Sequence, residues 1–177
     1  SPMLTEIKKN TFDSNGNSVS EIIPDGGIRD GNTEIPPKAV AVTEVDNTHG
    51  KWQFSEEDGA VWTNFSDRSG TVADIAAEAR LLDAAHRIRF VPDSGWHGIA
   101  AFTFRAWDKT TGVSGKTADA TEGGNRSAFS LGTGRAEITV NATENHAPEL
   151  DVPSCPILSR IGVDETNNNG DRLSDII

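Results

Sequence analysis

Cysteine is nearly absent from this chain, with one, Cys155, among 177 residues. A single thiol excludes an internal disulfide framework and a cysteine-rich zinc site, yet leaves export open, because large exported proteins often do without cysteine. Basic residues are also scarce: 16 Lys and Arg stand against 27 Asp and Glu, a net charge of -11. Nucleic acid and anionic membranes are therefore poor partners. No apolar run approaches the roughly 20 residues of a membrane span, which speaks against membrane insertion by this segment, and no signal peptide precedes it. A slice from inside a longer protein would lack both. The four histidines, His49, His86, His97 and His146, are scattered, and neither an HExxH nor a GxSxG pattern occurs. The chain reads as a non-enzyme.

What the chain does contain is a copy of its own beginning. Residues 158–177 (LSRIGVDETNNNGDRLSDII) align without a gap on residues 4–23 (LTEIKKNTFDSNGNSVSEII), offset by 154 positions, with seven of twenty pairs identical. The identical pairs are Leu4/Leu158, Ile7/Ile161, Asn15/Asn169, Gly16/Gly170, Ser20/Ser174, Ile22/Ile176 and Ile23/Ile177. Average composition gives roughly one or two identities in such a window. Solenoid units of about 20–50 residues cannot fold singly, whereas a period of this length is the size of an independent domain. The expected organisation is a repeat over 4–150, a linker over 151–157 and the first segment of the next repeat over 158–177. The stretch 145–153 (NHAPELDVP), with its two prolines, fits that linker. The apolar residues of the restart need cover, expected from this domain or a neighbouring molecule as an added strand.

Within the repeat, apolar residues fall in short alternating runs separated by Gly, Asp and Asn, the pattern of strands. In 98–107 (GIAAFTFRAW), Phe102, Phe104 and Ala106 share one face, and Thr103, Arg105 and Trp107 the other. In 87–91 (RIRFV), Ile88 and Phe90 point inward; in 135–141 (RAEITVN), Ala136, Ile138 and Val140 do. Further strands are expected at 39–45, 51–55 and 60–65, the last two joined by an Asp58-Gly59 hairpin turn. One stretch, 72–82 (VADIAAEARLL), is rich in helix formers and predicts a short helix or helical turn in a crossover. The fold class is all-β, an antiparallel β-sandwich with that one crossover.

Candidate chemistry lies in oxygen ligands. Calcium takes six to eight of them, and four places gather such groups: 25–30 (DGGIRD) ending at Asp30, Asp108 after the strongest strand, Glu144-Asn145 in the linker, and Asp164-Glu165 in the restart. An Asp following a strand is equally a turn residue that accepts backbone hydrogen bonds. The DSNG at 13–16 and NNNG at 167–170 lack the acidic spacing of an EF-hand and read as turns. Four tryptophans with no tyrosine offer either β-core packing or a sugar-stacking platform. Trp96, in the loop 93–98 (DSGWHG), is the least obviously buried of them and the candidate ligand contact.

Taken together, GKWQFS at 50–55, DGAVW at 58–62, RIRFVP at 87–92, Gly98, FRAWD at 104–108, AFS at 128–130 and NHAP at 145–148 resemble a cadherin-like repeat of very large bacterial extracellular surface proteins of the adhesin type. The resemblance covers about residues 4–150. It implies a Greek-key sandwich on the cell surface whose Ala-x-Asp at 106–108 and Asn-x-x-Pro at 145–148 match calcium-binding positions, with neighbouring repeats as partners and a surface glycan or protein as ligand. The two aspartates of 25–30 are spaced five apart rather than two, and His146 stands where an acid is usual. The expected function is a calcium-stiffened spacer or adhesion module. The alternatives are a carbohydrate-binding module using Trp96, or an ancillary domain of a secreted polysaccharide-degrading enzyme.

Overall fold

The computed structural model describes residues 2–29, 31, 35–124, 126–142, 158–167 and 169–171. The chain divides into two units, Ser1–Thr143 and Glu144–Ile177.

The first unit is mostly β-sheet. Its elements are β1 (Ile7–Lys8), β2 (Asn17–Ser18), helix α1 (Val19–Ile22), β3 (Val40–Asp46), β4 (Gly50–Ser55), β5 (Thr63–Asn64), β6 (Val72–Asp74), a 3-10 turn (Ala76–Glu78), β7 (Ala79–Leu82), β8 (Arg87–Pro92), β9 (Gly98–Trp107), β10 (Thr117–Ala118) and β11 (Phe129–Asn141). The larger sheet runs β1-β11-β9-β3-β7-β10, with β6 also on β3; the smaller runs β2-β8-β4-β5. All pairings are antiparallel except β1 on β11, which is parallel.

The alternation expected in the sequence drives the packing of these sheets. Val40, Val42, Phe102, Phe104, Ala136, Ile138 and Val140 of the larger sheet form one buried cluster with Trp52, Phe54, Ile88 and Phe90 of the smaller. Trp52 on β4 meets Phe90 of its own sheet at 5.1 Å and Phe102 of the larger sheet edge-on at 5.0 Å, so an aromatic contact joins the layers. Side chains from two sheets that interlock in one core make a sandwich.

The larger sheet buries its other face as well. Ala39, Ala41, Ala79, Leu81 and Trp107 lie there, covered by Ala120, Ala128 and Phe129. The cover is the long connection from β9 to β11, held by Arg105, whose guanidinium donates to the carbonyls of Ala120 (3.0 Å), Thr121 (3.2 Å) and Ser130 (2.8 Å). Trp107 donates its Nε1 to the Thr111 carbonyl at 2.7 Å. Its expected place opposite Phe104 holds, and it is one of the most buried side chains, at 1% exposure.

Two local expectations are refined. In 72–82 the helical turn forms at Ala76–Glu78 alone, and strands β6 and β7 take most of the rest of the segment. Strand β7 is buried on both sides, with Leu81 in one core and Leu82 in the other, so it lacks alternation, and its apolar composition imitates a helix. The strand expected over 60–65 shrinks to Thr63–Asn64. Phe54 pairs with Thr63, so a longer loop replaces a tight hairpin. Asp58 (φ 51°) and Gly59 (φ 92°) do take the left-handed conformation that an Asp-Gly turn needs, and Ser55 Oγ accepts from the Gly59 N–H at 2.9 Å.

The helix that does form, α1, has a capping box: Ser18 Oγ accepts from Glu21 N–H at 3.3 Å and Glu21 Oε2 accepts from Ser18 N–H at 2.8 Å. It buries Val19 and Ile22.

Candidate functional site

Asp108 follows β9 and closes an Asx turn. Its Oδ1 accepts from the Thr110 N–H at 2.8 Å and the Thr110 hydroxyl at 2.6 Å, while its own N–H donates to the Ala128 carbonyl at 3.0 Å. Lys109, between them, has φ 66°. The turn chemistry anticipated for an Asp after a strand is therefore present. Asp108 also lines a cleft of about 260 Å³ together with Arg29, Gly31, Pro36, Pro37 and Ser127. The two neighbours of residue 30 thus reach the cleft that Asp108 borders. Asp30 itself, with Glu144 and Asn145, lies outside the described residues.

Asp164 and Glu165 belong to the second unit. Glu165 N–H donates to the Gly162 carbonyl at 3.1 Å, and Glu165 Oε2 accepts from the Gly162 N–H at 3.3 Å. Among the described residues, no three of His, Cys, Asp and Glu come together as a metal-binding group. The carboxylate oxygens Asp108 Oδ1 and Glu165 Oε2 already hold backbone donors. A cation at either place would compete with those bonds, and Arg29 adds a like charge to the Asp108 cleft.

Trp96 is half-buried rather than displayed. Its ring stacks on His49 at 5.1 Å and meets Phe90 edge-on at 5.8 Å. Trp52 and Trp107 are core residues, and the ring of Trp62 carries the Arg89 guanidinium at 4.2 Å. All four aromatic surfaces are engaged within the domain.

The best-defined polar constellation centres on the 13–16 segment, read from sequence as a turn only. Residues 5–17 form a loop closed by two contacts: Thr5 N–H donates to Asn17 Oδ1 and Asn17 Nδ2 to Thr5 Oγ1, both at 2.9 Å. Strand β8 then grips the loop by its main chain. Arg87 donates to the carbonyls of Asn15 (2.8 Å) and Gly16 (3.0 Å), and Arg89 to that of Ser14 (3.2 Å). Gly16 has φ 59°, and a Cβ there would run into the Ile88 carbonyl oxygen and the Arg89 side chain. Burial lowers the pKa of Arg89, opposed by the charge of Asp13, yet the group remains a cation at neutral pH.

The same loop recurs in the second unit. Ser159 N–H and hydroxyl both donate to the Asp171 carboxylate, at 2.6 and 2.5 Å, where Thr5 and Asn17 paired 154 positions earlier. Thr11 N–H donates to the Lys8 carbonyl at 3.2 Å, and Glu165 N–H to that of Gly162 at 3.1 Å, again at the same offset. Gly16 and Gly170 have φ 59° and 61°. The signal available beforehand was the glycine kept in both copies, together with two arginines on the outward face of β8.

Compared with known proteins, the chain matches no family model, no curated protein and no solved structure. Among the described residues, no helix is long and apolar enough to cross a membrane.

Proposed function

We propose that residues 4–150 are one repeat of a non-enzymatic, extracellular, cadherin-like array with Greek-key topology, that 151–157 is a linker, and that 158–177 opens the next repeat. The observation that carries this reading is the return, 154 residues on, of one loop's hydrogen bonds and its left-handed glycine. Sequence likeness alone allows chance; likeness in the positions that shape a loop favours a repeated unit.

The role that follows is mechanical. A chain of independently cored sandwiches spaces a distal binding domain from its anchor, and its reach depends on how far each junction bends. Calcium held by oxygens from two successive repeats would restrict that bending. Asp30, Asp108, Glu144 and Asn145 are the donors offered by this repeat, and Asp164 and Glu165 those offered by the next. The metal would supply charge and a fixed coordination shell; the chain's part would be to offer Asp30 and Asp108 to the joint with the preceding repeat, and Asn145 with Asp164 and Glu165 to the joint with the following one.

Small-angle scattering and thermal melting of a chain extended to two whole repeats, with calcium and with chelator, test this reading. Calcium should lengthen the particle and raise its Tm. If both quantities ignore calcium, the stiffened-spacer mechanism fails.

A further inference from the structure

Residues 4–23 are an insert in the domain's core as much as they are its beginning. Leu4, Val19, Ile22 and Ile23 are buried, and Ile7 packs against the same cluster. All five counterparts in the restart are aliphatic: Leu158, Leu173, Ile176, Ile177 and Ile161. Of these, Leu158 and Ile161 are described, and they are 61% and 59% exposed, whereas Leu4 is 3% exposed. Exposed aliphatic side chains that repeat a buried set have a seat of known shape.

That seat reads mostly main chain. Along β11, Leu4 N–H donates to the Glu137 carbonyl (2.8 Å), Lys9 N–H to that of Asn141 (2.9 Å), and Glu137 N–H to the Pro2 carbonyl (3.1 Å). The counterpart of Pro2 is Pro156, so even the proline lacking an N–H is preserved at the outer end. Arg87 and Arg89 take three successive carbonyls, and the glycine they require returns as Gly170. In the second unit, a Cβ at Gly170 would meet nothing within 4 Å, so the crowding that excludes a side chain at Gly16 comes from β8. Gly95 N–H donates to Asn10 Oδ1 at 2.8 Å, and the counterpart Asp164 keeps an acceptor oxygen. Among the losses, Arg172 replaces the half-buried Ser18 cap, and Arg160 replaces the exposed Glu6.

We propose that residues 158–177 of one copy can fill the seat of residues 4–23 in a second copy of this chain, so that the domain self-associates by exchanging its first segment. The inference rests on the equivalence of the two segments, not on calcium or on an extracellular setting. The resident segment is tethered and so holds a high effective concentration at the seat; exchange grows with protein concentration and with any weakening of the resident.

Trapping by disulfide tests it. Lys8 faces Asn141 in the β1–β11 pairing, and Gly162 is the counterpart of Lys8. In a Cys155→Ser background, one full-length chain carries Asn141→Cys and another carries Gly162→Cys, a position where a new Cβ meets nothing closer than 3.9 Å. Under mild oxidation the mixture should give the mixed dimer in several-fold excess over either homodimer. Adding Leu4→Asp to the first chain should raise that yield, and adding Leu158→Asp to the second should abolish it. Should Leu4→Asp unfold the receiver, the arm with an unaltered receiver still decides. A mixed dimer at or below the twofold excess over each homodimer that random pairing of equal amounts gives, or one indifferent to Leu158→Asp, overturns the proposal.

Discussion

Asn17 closes the first loop on Thr5 through an amide, and Asp171 closes its counterpart on Ser159 through a carboxylate. One geometry is therefore built once from neutral groups and once from a titratable one. The Ser159 hydroxyl and then its N–H hold the Asp171 carboxyl below the ordinary Asp value of 3.8. A depressed pKa means that the contact contributes fully above the unfolded value and is lost as pH falls through the folded one. On acidification, the Ser159 amide resonance should therefore titrate below the usual carboxylate range, while that of Thr5 should not follow it. An Asp171→Asn chain should lose the titration and keep the loop.

Asn47 is 1% exposed and has every side-chain atom engaged. Its Oδ1 accepts from Trp52 N–H at 3.0 Å, and its Nδ2 donates to the carbonyls of Arg68 (3.0 Å) and Ser66 (3.5 Å), tying the 66–71 loop to β4. Asn47→Ala strands these buried partners, at about 1–3 kcal/mol for each group left unpaired. Urea denaturation should show a loss of at least about 2 kcal/mol; a change below about 0.5 kcal/mol, within the range of ordinary surface substitutions, would contradict the assigned role.

The two buried tryptophans should respond unequally to loss of the indole nitrogen. Trp107 Nε1 has the Thr111 carbonyl at 2.7 Å, whereas Trp52 Nε1 is buried with no partner among the described residues. Replacement by Phe removes ring area in both cases, but at Trp52 it also relieves an unpaired donor. Trp107→Phe should therefore cost more than Trp52→Phe by roughly 1 kcal/mol. Equal losses in chemical denaturation would argue against the difference.

Gly16→Ala should be costly for two reasons: a left-handed φ of 59° and the Ile88 carbonyl against the new methyl. The conformational part alone is about 1–2 kcal/mol. Gly26, also left-handed at φ 72° but with nothing within 4 Å of a new Cβ, is the control. Its alanine variant should lose only the conformational part, so a Gly16→Ala loss no larger than that of Gly26→Ala would deny the close approach to β8.

The main strands were legible because their burial alternates. Ile88 and Phe90 of β8, and Ala136, Ile138 and Val140 of β11, lie in the core as their spacing implies. What misled was burial on both faces: β7 has Leu81 and Leu82 in separate cores, which erases period two and leaves only composition. Helix α1 had a local signature, Ser18-x-x-Glu21 before Ile22 and Ile23, but four residues are too few for helical periodicity to show. The candidate metal positions were legible only as residue types. Asp108 reaches the cleft bordered by Arg29 and Gly31, while Asp30, Glu144 and Asn145 lie outside the described residues. Of the arginine grip on 14–16, only the kept glycine and the two outward arginines were legible; the contact itself depends on loop and strand meeting across 71 to 75 positions of chain.

Because Arg87 and Arg89 hold carbonyl oxygens, the grip is blind to what side chains the gripped residues carry. Drift between copies at those positions goes uncorrected by it, and only the glycine and a handful of aliphatic positions are policed. In the array proposed above, each new leading segment emerging from the ribosome would meet a preceding domain whose docking groove would accept it. Tandem relatives are prone to such cross-pairing during folding. Protection has to come from timing: a domain that closes over its own leading segment before the next is synthesised escapes the error. In the proposed array, folding speed relative to translation would then decide how often the error occurs.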